Sequence, residues 1–222
     1  MSKVDPAAGH SDQSSSLEAS SPGVPSPEGR ASAEMRHKLA NIFQLLSTLT
    51  RMRIQRSGDE EARRQLSWML DAISALALLH NRPGGAEVDF SRFLRDMAPL
   101  WRRRCDGRPI AIELDLTPLA VHERHESALA LIAHELVVNA IAHGFPAGAS
   151  GVVRISLGPG EAETGVLAIR DDGLGYDPAT VTRTRLGLWL IDGLASQVQG
   201  ALTTTCEGGV QARLVFPLPS AD

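Results

Sequence analysis

The feature that most constrains this chain is a change of hydrophobic period near residue 86. Between residues 31 and 80, apolar residues return every third or fourth position, which is typical of amphipathic helices. Beyond residue 86, helical stretches alternate with short runs of strand-like alternation. The sequence therefore predicts a purely helical unit followed by an α/β unit.

The first predicted helix covers residues 31–56. Its apolar seam is formed by Met35, Leu39, Ile42, Leu46 and Leu49, alternately four and three residues apart. After Ser57-Gly58-Asp59, a second helix carries a matching seam up to His80, and the segment 81–85 ends it. The tight turn predicts an antiparallel helical hairpin. Because the two helices have more apolar surface than one pair can bury, we expect a homodimer with a four-helix bundle.

The second unit reads as a two-layer α/β sandwich. Its predicted helices are Phe90–Arg104, Glu126–Phe145 and Gly187–Gln199, and its predicted strands are Ile110–Leu116, Val152–Leu157, Val166–Arg170, Ala201–Thr205 and Gln211–Phe216. We expect a mixed, largely antiparallel sheet covered by helices on one face. The predicted division is a disordered, Ser/Pro/Gly-rich tail at 1–30, the hairpin at 31–85 and the α/β domain at 86–219.

Composition excludes several classes of function. The net charge of −4 gives no electrostatic reason to expect nucleic-acid binding. No apolar run is long enough to span a membrane and no signal core is visible, so we expect a cytoplasmic protein without membrane insertion. Cys105 and Cys206 are far apart and lack metal-site spacing, so reduced thiols are expected.

Three short segments of the second unit carry candidate chemistry. Glu135, Asn139 and His143 are each four residues apart, so they share one face of the long helix. By spacing alone this stripe could equally be a solvated face. Asp171-Asp172-Gly173-Leu174-Gly175 follows an apolar strand, and glycine lets the backbone approach a ligand closely. Gly187 opens a helix whose free N–H groups could hold phosphate. Each of the last two segments alone could also be an ordinary turn or helix entry.

Together and in this order, these segments resemble the GHKL (Bergerat-type) ATP-binding domain of sensor histidine kinases. His134–His143 is similar to its N box, Asp171–Gly175 to its first glycine box and Arg185–Leu188 to its second. The resemblance implies ATP and Mg²⁺ as ligands, with Glu135 and Asn139 arranging Mg²⁺ and a water molecule and Asp171 binding adenine. The implied nucleotide-binding set is Asn139, His143, Asp171, Gly173, Gly175, Gly187 and Leu188. Arg183 and Arg185 are further candidate phosphate contacts.

The first helix contains the pattern His37-x-x-x-Asn41-x-x-Gln44-x-x-Ser47. Placed before such an ATPase domain, it resembles the dimerisation and phosphoacceptor hairpin of the HisKA_2 subfamily, which implies that His37 is the phosphorylated residue. Arg36 stands where the subfamily often has a histidine or an acid, and Lys38 stands where kinases of the larger classes usually have an acid. On the second helix, His80 is expected to serve packing or capping.

The function implied by the resemblance is ATP-dependent autophosphorylation on His37, followed by phosphotransfer to an aspartate of a response-regulator receiver domain. A separate sensor protein is expected to supply the signal. One alternative is a histidine phosphotransferase with an ATPase-like domain that does not bind ATP. Two others are an anti-sigma-type switch kinase and a member that mainly dephosphorylates its regulator.

Overall fold

The computed structural model of the chain describes residues 27–80, 88–175 and 186–219. Most of the predicted tail and the segment 176–185 between the two glycine boxes lie outside the described residues, so the expectations for Arg183 and Arg185 do too. The first helix, α1, spans Pro27–Arg56 and begins four residues before its predicted start. The second, α2, spans Glu60–His80. Asp59 caps α2, because its Oδ1 accepts a hydrogen bond from the Glu61 backbone N–H at 2.9 Å.

The two helices pack on each other as a hairpin, but the predicted seam of α1 is not buried between them. Met35, Ile42 and Leu49 are 58%, 51% and 53% exposed. Phe43 is instead half-buried, and its ring stacks on the His80 imidazole at a centroid distance of 5.5 Å. His80 thus packs between helices, as expected. The exposed stripe leaves apolar surface for a second copy, and the dimer stays a prediction.

The second unit contains all seven strands of the described chain. Its elements are β1 (Val88–Asp89), α3 (Phe90–Arg104), β2 (Ile110–Leu116), β3 (Ala120–Val121), α4 (Glu123–His143), β4 (Gly151–Pro159), β5 (Thr164–Asp171), α5 (Leu186–Gln197), β6 (Ala201–Thr205) and β7 (Gln211–Pro217). Strands β2-β4-β5-β7-β6 form one sheet in that order. The β2–β4 pair is parallel and the other pairs are antiparallel, which confirms the predicted mixed sheet. The short β1–β3 ribbon was not predicted, because two residues per strand give no periodic signal.

The core lies between this sheet and the helices. Alternate residues of each central strand are buried, as in the β5 set Leu167 and Ile169, while their neighbours are more exposed. Helix α3 packs on β2, α4 on β4 and β5, and α5 on β6. The few aromatic residues are concentrated here, with Phe90, Phe93 and Trp101 fully buried. The core therefore contains aromatic as well as aliphatic side chains.

Helix α2 also packs against the second unit. Ala75 and Leu79 of α2 are buried in the same apolar cluster as α3 and α4. The hairpin is thus attached to the α/β unit through α2, and α1 packs on α2. None of the described helices is long and apolar enough to cross a membrane.

Candidate functional site

A cavity of about 600 Å³ opens between α4, α5 and the ends of strands β5, β6 and β7. It brings together six of the residues that the sequence placed at a nucleotide site: Asn139, His143, Asp171, Gly175, Gly187 and Leu188. The cavity is of the size that small-molecule ligands occupy in proteins. Its apolar wall includes Leu136, Ile191 and Leu202, which can hold a flat ring.

Asp171 is the most firmly positioned polar group of this cavity. It ends β5, is 3% exposed, and accepts two backbone hydrogen bonds through Oδ1. The donors are the N–H of Gly173 at 3.0 Å and the N–H of Val210 at 3.3 Å. Burial raises the pKa of this carboxyl group, while the two N–H donors act in the opposite direction. With Oδ1 bound to the backbone, Oδ2 is the oxygen that can accept a hydrogen bond from a ligand.

Gly173 and Gly209 allow close backbone contacts beside the cavity, because a side chain at either position would clash with a carbonyl oxygen. A Cβ on Gly173 would lie 2.0 Å from the carbonyl oxygen of Gly144, just after α4. At that junction, the N–H of Leu174 donates to the same carbonyl at 2.8 Å. Gly209 has φ 113°, and a Cβ there would lie 2.0 Å from the Asp171 carbonyl oxygen. Gly173 does not line the cavity but closes its rim, a role that its motif did not specify.

Glu135 lies one helical turn before Asn139 but not on the cavity wall. The side chain is 1% exposed and faces α2. A Cβ on Gly187 would lie 3.0 Å from its Oε2, so the first turn of α5 passes directly beside this carboxyl group. Burial raises the pKa of Glu135, and the nearby Trp68 indole acts against that shift. The expected stripe of three polar side chains is therefore divided: Asn139 and His143 meet the cavity, and Glu135 meets the hairpin.

The helix face behind this site is held by a second polar contact. His134 is 4% exposed, and its Nδ1 accepts a hydrogen bond from Trp101 Nε1 at 3.3 Å. Desolvation, with a smaller contribution from Arg104, lowers the pKa of His134 to about 4. The imidazole is therefore neutral near pH 7, and it serves to fix α4 against α3 rather than to exchange protons with a ligand.

His37 lies elsewhere. It is exposed on α1, and no residue of α1 or α2 is among the described residues that line the cavity. The structure therefore does not bring the predicted acceptor to the predicted pocket. Neighbouring Lys38 forms an ion pair with Glu34 at 2.7 Å.

Sequence reasoning missed two groups of residues at the site. The floor residues Leu202, Thr204, Val210 and Ala212 come from β6, β7 and their connection, and ordinary strand alternation does not mark them as ligand contacts. The other group is Trp68 and Asp71 of α2, which act on Glu135 from a different unit of the chain. In the sequence, the signal was a tryptophan in a helix that has no phenylalanine or tyrosine.

The second unit is similar in sequence to a known family, and most of the chain is similar to known proteins. The family of the histidine kinase-like ATPase domain matches residues 112–215. Sensor histidine kinase PdtaS of Mycobacterium tuberculosis is 28% identical over 177 residues, covering 76% of this chain and 35% of PdtaS. Blue-light-activated histidine kinase 1 of Erythrobacter litoralis is 26% identical over 204 residues, covering 85% of this chain and 53% of that protein. The chain thus spans about a third to a half of these relatives.

Solved structures show the same fold. The histidine kinase domain of the blue-light-activated kinase from Erythrobacter litoralis EL346 superposes with a TM-score of 0.63 at 20% identity, covering 79% of this chain and 96% of that domain. The longer structure of the same kinase gives a TM-score of 0.68 at 22% identity, covering 88% of this chain and 61% of that chain. The sequence match, the shared fold and the cavity at the three motifs agree, and residues 112–215 of this chain are similar to the histidine kinase-like ATPase domain family.

Proposed function

We propose that this chain is a two-component signalling protein that binds ATP in the α4–α5 cavity and transfers the γ-phosphoryl group to His37. The observation that carries the proposal is the convergence of Asn139, Asp171, Gly175 and Gly187 on one cavity, although they are spread over about 50 residues of sequence. A chain that had lost ATP binding would have no reason to keep these residues around an open cavity. This favours the kinase over the phosphotransferase alternative.

The adenine ring would lie against the apolar wall, with its exocyclic amine donating to Asp171 Oδ2. Gly175 has φ 66° and lines the cavity, so the backbone can pass close to the nucleotide without a side chain in the way. Gly187 and Leu188 at the first turn of α5 present backbone N–H groups where phosphates would lie. Phosphoryl transfer requires mainly positioning and charge neutralisation, which these groups would provide.

Asn139 is suited to hold Mg²⁺ through its amide oxygen. Mg²⁺ in phosphoryl-transfer sites takes one or two protein ligands and completes its shell with phosphate oxygens and water. Among the described residues, no group of three or more His, Cys, Asp or Glu side chains could hold a metal by itself, so the phosphates would supply most ligands. When bound, the ion neutralises charge on the β- and γ-phosphates. Glu135, whose Oε2 lies beside the first turn of α5, would act on the ion through a water molecule.

His37 would receive the phosphoryl group by in-line attack of an imidazole nitrogen on the γ-phosphorus. The new N–P bond forms as the bond between the γ-phosphorus and the β–γ bridging oxygen breaks, ADP leaves with that oxygen, and the resulting imidazolium gives its ring N–H proton to water. The neutral imidazole is the nucleophilic form, because one ring nitrogen then carries a free lone pair. The exposure of His37 on α1 leaves it accessible to the cavity of a second copy and to a receiver-domain aspartate. The exposed stripe of α1 supports the homodimer in which this transfer would take place.

The test is incubation of the full chain with Mg²⁺ and ATP labelled at the γ-phosphate. Wild type and the control His122→Gln, at the start of α4, should acquire acid-labile, alkali-stable label. His37→Ala should bind nucleotide normally and remain unlabelled, and Asn139→Ala should lose labelling through its effect on the cavity. Absence of both nucleotide binding and label in wild type would favour the phosphotransferase. Label that persists in His37→Ala would show that another residue is the acceptor.

A further inference from the structure

The floor of the cavity is polar at both ends and apolar between them. Ile169, Ala212 and Thr204 lie directly opposite one another on β5, β7 and β6, so their side chains share one face of the sheet. Asp171 follows Ile169 by two residues on β5 and therefore lies on that same face. All four residues line the cavity. Because neighbouring strands are about 4.8 Å apart, Thr204 lies roughly 10 Å across the sheet from β5, the strand that Asp171 ends.

Helix α5 adds a second acidic side chain to the cavity. This helix packs on β6 and contributes Leu188, Ile191 and Asp192 to the cavity wall. Ile191 and Asp192 follow Leu188 by three and four residues, so the three side chains share one face of the helix. Asp192 is exposed, and in the part of the chain that the structure describes no ion pair or hydrogen bond engages its carboxylate. Its two oxygens are therefore open to a ligand in the cavity.

The position of Asp192 along α5 separates it from the phosphate end of the cavity. Asp192 comes five residues after Gly187, and a helix rises about 1.5 Å per residue, so roughly 7.5 Å divide the two residues along the helix axis. The first turn of a helix attracts anions, whereas a carboxylate repels them. A polyphosphate in the cavity would therefore extend towards Gly187 and away from Asp192. The sugar joins the base of a nucleotide to its phosphates, and its polar groups are hydroxyls.

A carboxylate and a hydroxyl on the walls of one cavity are suited to bind a sugar diol. Ionised Asp192 is an acceptor only, and the 2′- and 3′-hydroxyls of ribose are donors that it can pair with. Dinucleotide-binding folds use an acidic side chain towards ribose in this way. The hydroxyl of Thr204 can both donate and accept, so it can pair with a sugar oxygen that the carboxylate cannot satisfy.

We propose that Asp192 and Thr204 form a ribose-binding corner of the cavity, which makes the site select ribonucleotides over deoxyribonucleotides. The inference rests on the proposed function, because it assigns the sugar of the nucleotide that this function places in the cavity. Asp171 takes the base, the first turn of α5 takes the phosphates, and the ribose-binding corner takes the hydroxyls between them. Sugar selection is a property of binding, so it can be measured without phosphoryl transfer.

Nucleotides that lack one sugar hydroxyl test this assignment directly. Calorimetric titration of the full chain with ATP, 2′-deoxy-ATP and 3′-deoxy-ATP, each with Mg²⁺, gives three dissociation constants. ATP should bind about three- to tenfold more tightly than at least one of the deoxy analogues, which is the scale of one net hydrogen bond. The three ligands carry the same charge, so the ratio of their dissociation constants does not respond to the general electrostatic effect of removing an acid.

Two matched pairs of variants locate the effect. Asp192→Ala should bring the ratio close to one, whereas Glu207→Ala removes an exposed acid that does not line the cavity and should keep the wild-type ratio. Thr204→Val keeps a β-branched side chain without the hydroxyl and should lower the ratio about twofold. Its control is Thr205→Val, the next residue of β6, whose side chain points to the opposite face of the sheet. Circular dichroism and urea unfolding check that each variant is folded.

The outcomes separate the sugar assignment from the proposed function. If wild type binds all three nucleotides equally, or if folded Asp192→Ala keeps the wild-type ratio, the ribose-binding corner is wrong and the kinase function stands. Equal ratios in Thr204→Val and Thr205→Val would contradict the part assigned to Thr204. If the ratio falls as expected in Asp192→Ala but His37 is never labelled, the corner stands and the transfer function fails. If wild type binds no nucleotide, ATP binding in the cavity is wrong and the sugar assignment fails with it.

Discussion

Replacing Asp171 by asparagine or by alanine should separate its structural role from its role towards a ligand. The carboxylate Oδ1 accepts the N–H groups of Gly173 and Val210, and an asparagine oxygen can do the same. Asp171→Asn should therefore change the free energy of unfolding by less than about 1 kcal/mol. Asp171→Ala leaves two half-buried N–H donors without an acceptor, at a cost of about 2 kcal/mol in total.

For nucleotide binding, the expected order is different. The asparagine NH₂ would face the exocyclic amine of adenine, so both variants lose the same hydrogen bond to a charged acceptor. Such a bond is worth about 1.5–3 kcal/mol, which corresponds to a Kd increase of about 10- to 150-fold. Calorimetric titration with ATP and urea unfolding measure the two quantities. Asp171→Asn protein that is as stable as wild type and binds ATP equally tightly would refute the assignment of Asp171 to adenine.

Three other results should follow. Gly173→Ala, whose Cβ would meet the Gly144 carbonyl oxygen at 2.0 Å, should weaken both stability and ATP binding, whereas Gly193→Ala, with open space around it in α5, should stabilise the fold by about 0.5–1 kcal/mol in urea unfolding. Because the pKa of buried His134 is lowered from 6.5 to about 4, the unfolded state binds the proton first as pH falls. About 3 kcal/mol of stability should therefore be lost between pH 6.5 and pH 4, and His134→Gln should flatten that part of the profile. Leu45→Glu on the exposed stripe of α1 should convert a dimer to a monomer in light scattering, and an unchanged mass would count against the bundle.

The fold could be predicted from sequence largely because its elements have strong periods. The predicted bounds of α3, β2 and β6 match the structure, and those of the other long elements differ by a few residues at their ends. The differences occur where caps decide the boundary. Helix α4 starts at Glu123 after His122, which makes no side-chain capping bond, so the sequence carries no start signal there. The sequence could not predict whether the apolar seam of α1 packs on α2 or stays exposed. The hydrophobic period shows only that the helix has an apolar face, not which surface covers that face.

The candidate site was predictable in part. Asp171 and Gly187 belong to motifs whose order along the chain is specific, and the cavity forms where they meet. The separation of Glu135 from Asn139 was not predictable, since residues four apart share a helix face only within about 40°, and a neighbouring helix can cover one and leave the other open. Trp68, which covers Glu135, is 67 residues away in sequence, and no local pattern connects the two.

The sequence by itself determined the helices, the mixed sheet, the order of the three candidate motifs and the apolar excess of the hairpin, because each depends on local period or on short-range order along the chain. Only the tertiary structure decided that α2 lies against α4, that Glu135 is buried under Trp68, and that His37 and the cavity are apart. These depend on how two amphipathic surfaces dock, which is set by packing and by unpaired polar groups at the contact. The docking depends on residues of both surfaces together, so neither segment of sequence predicts it alone.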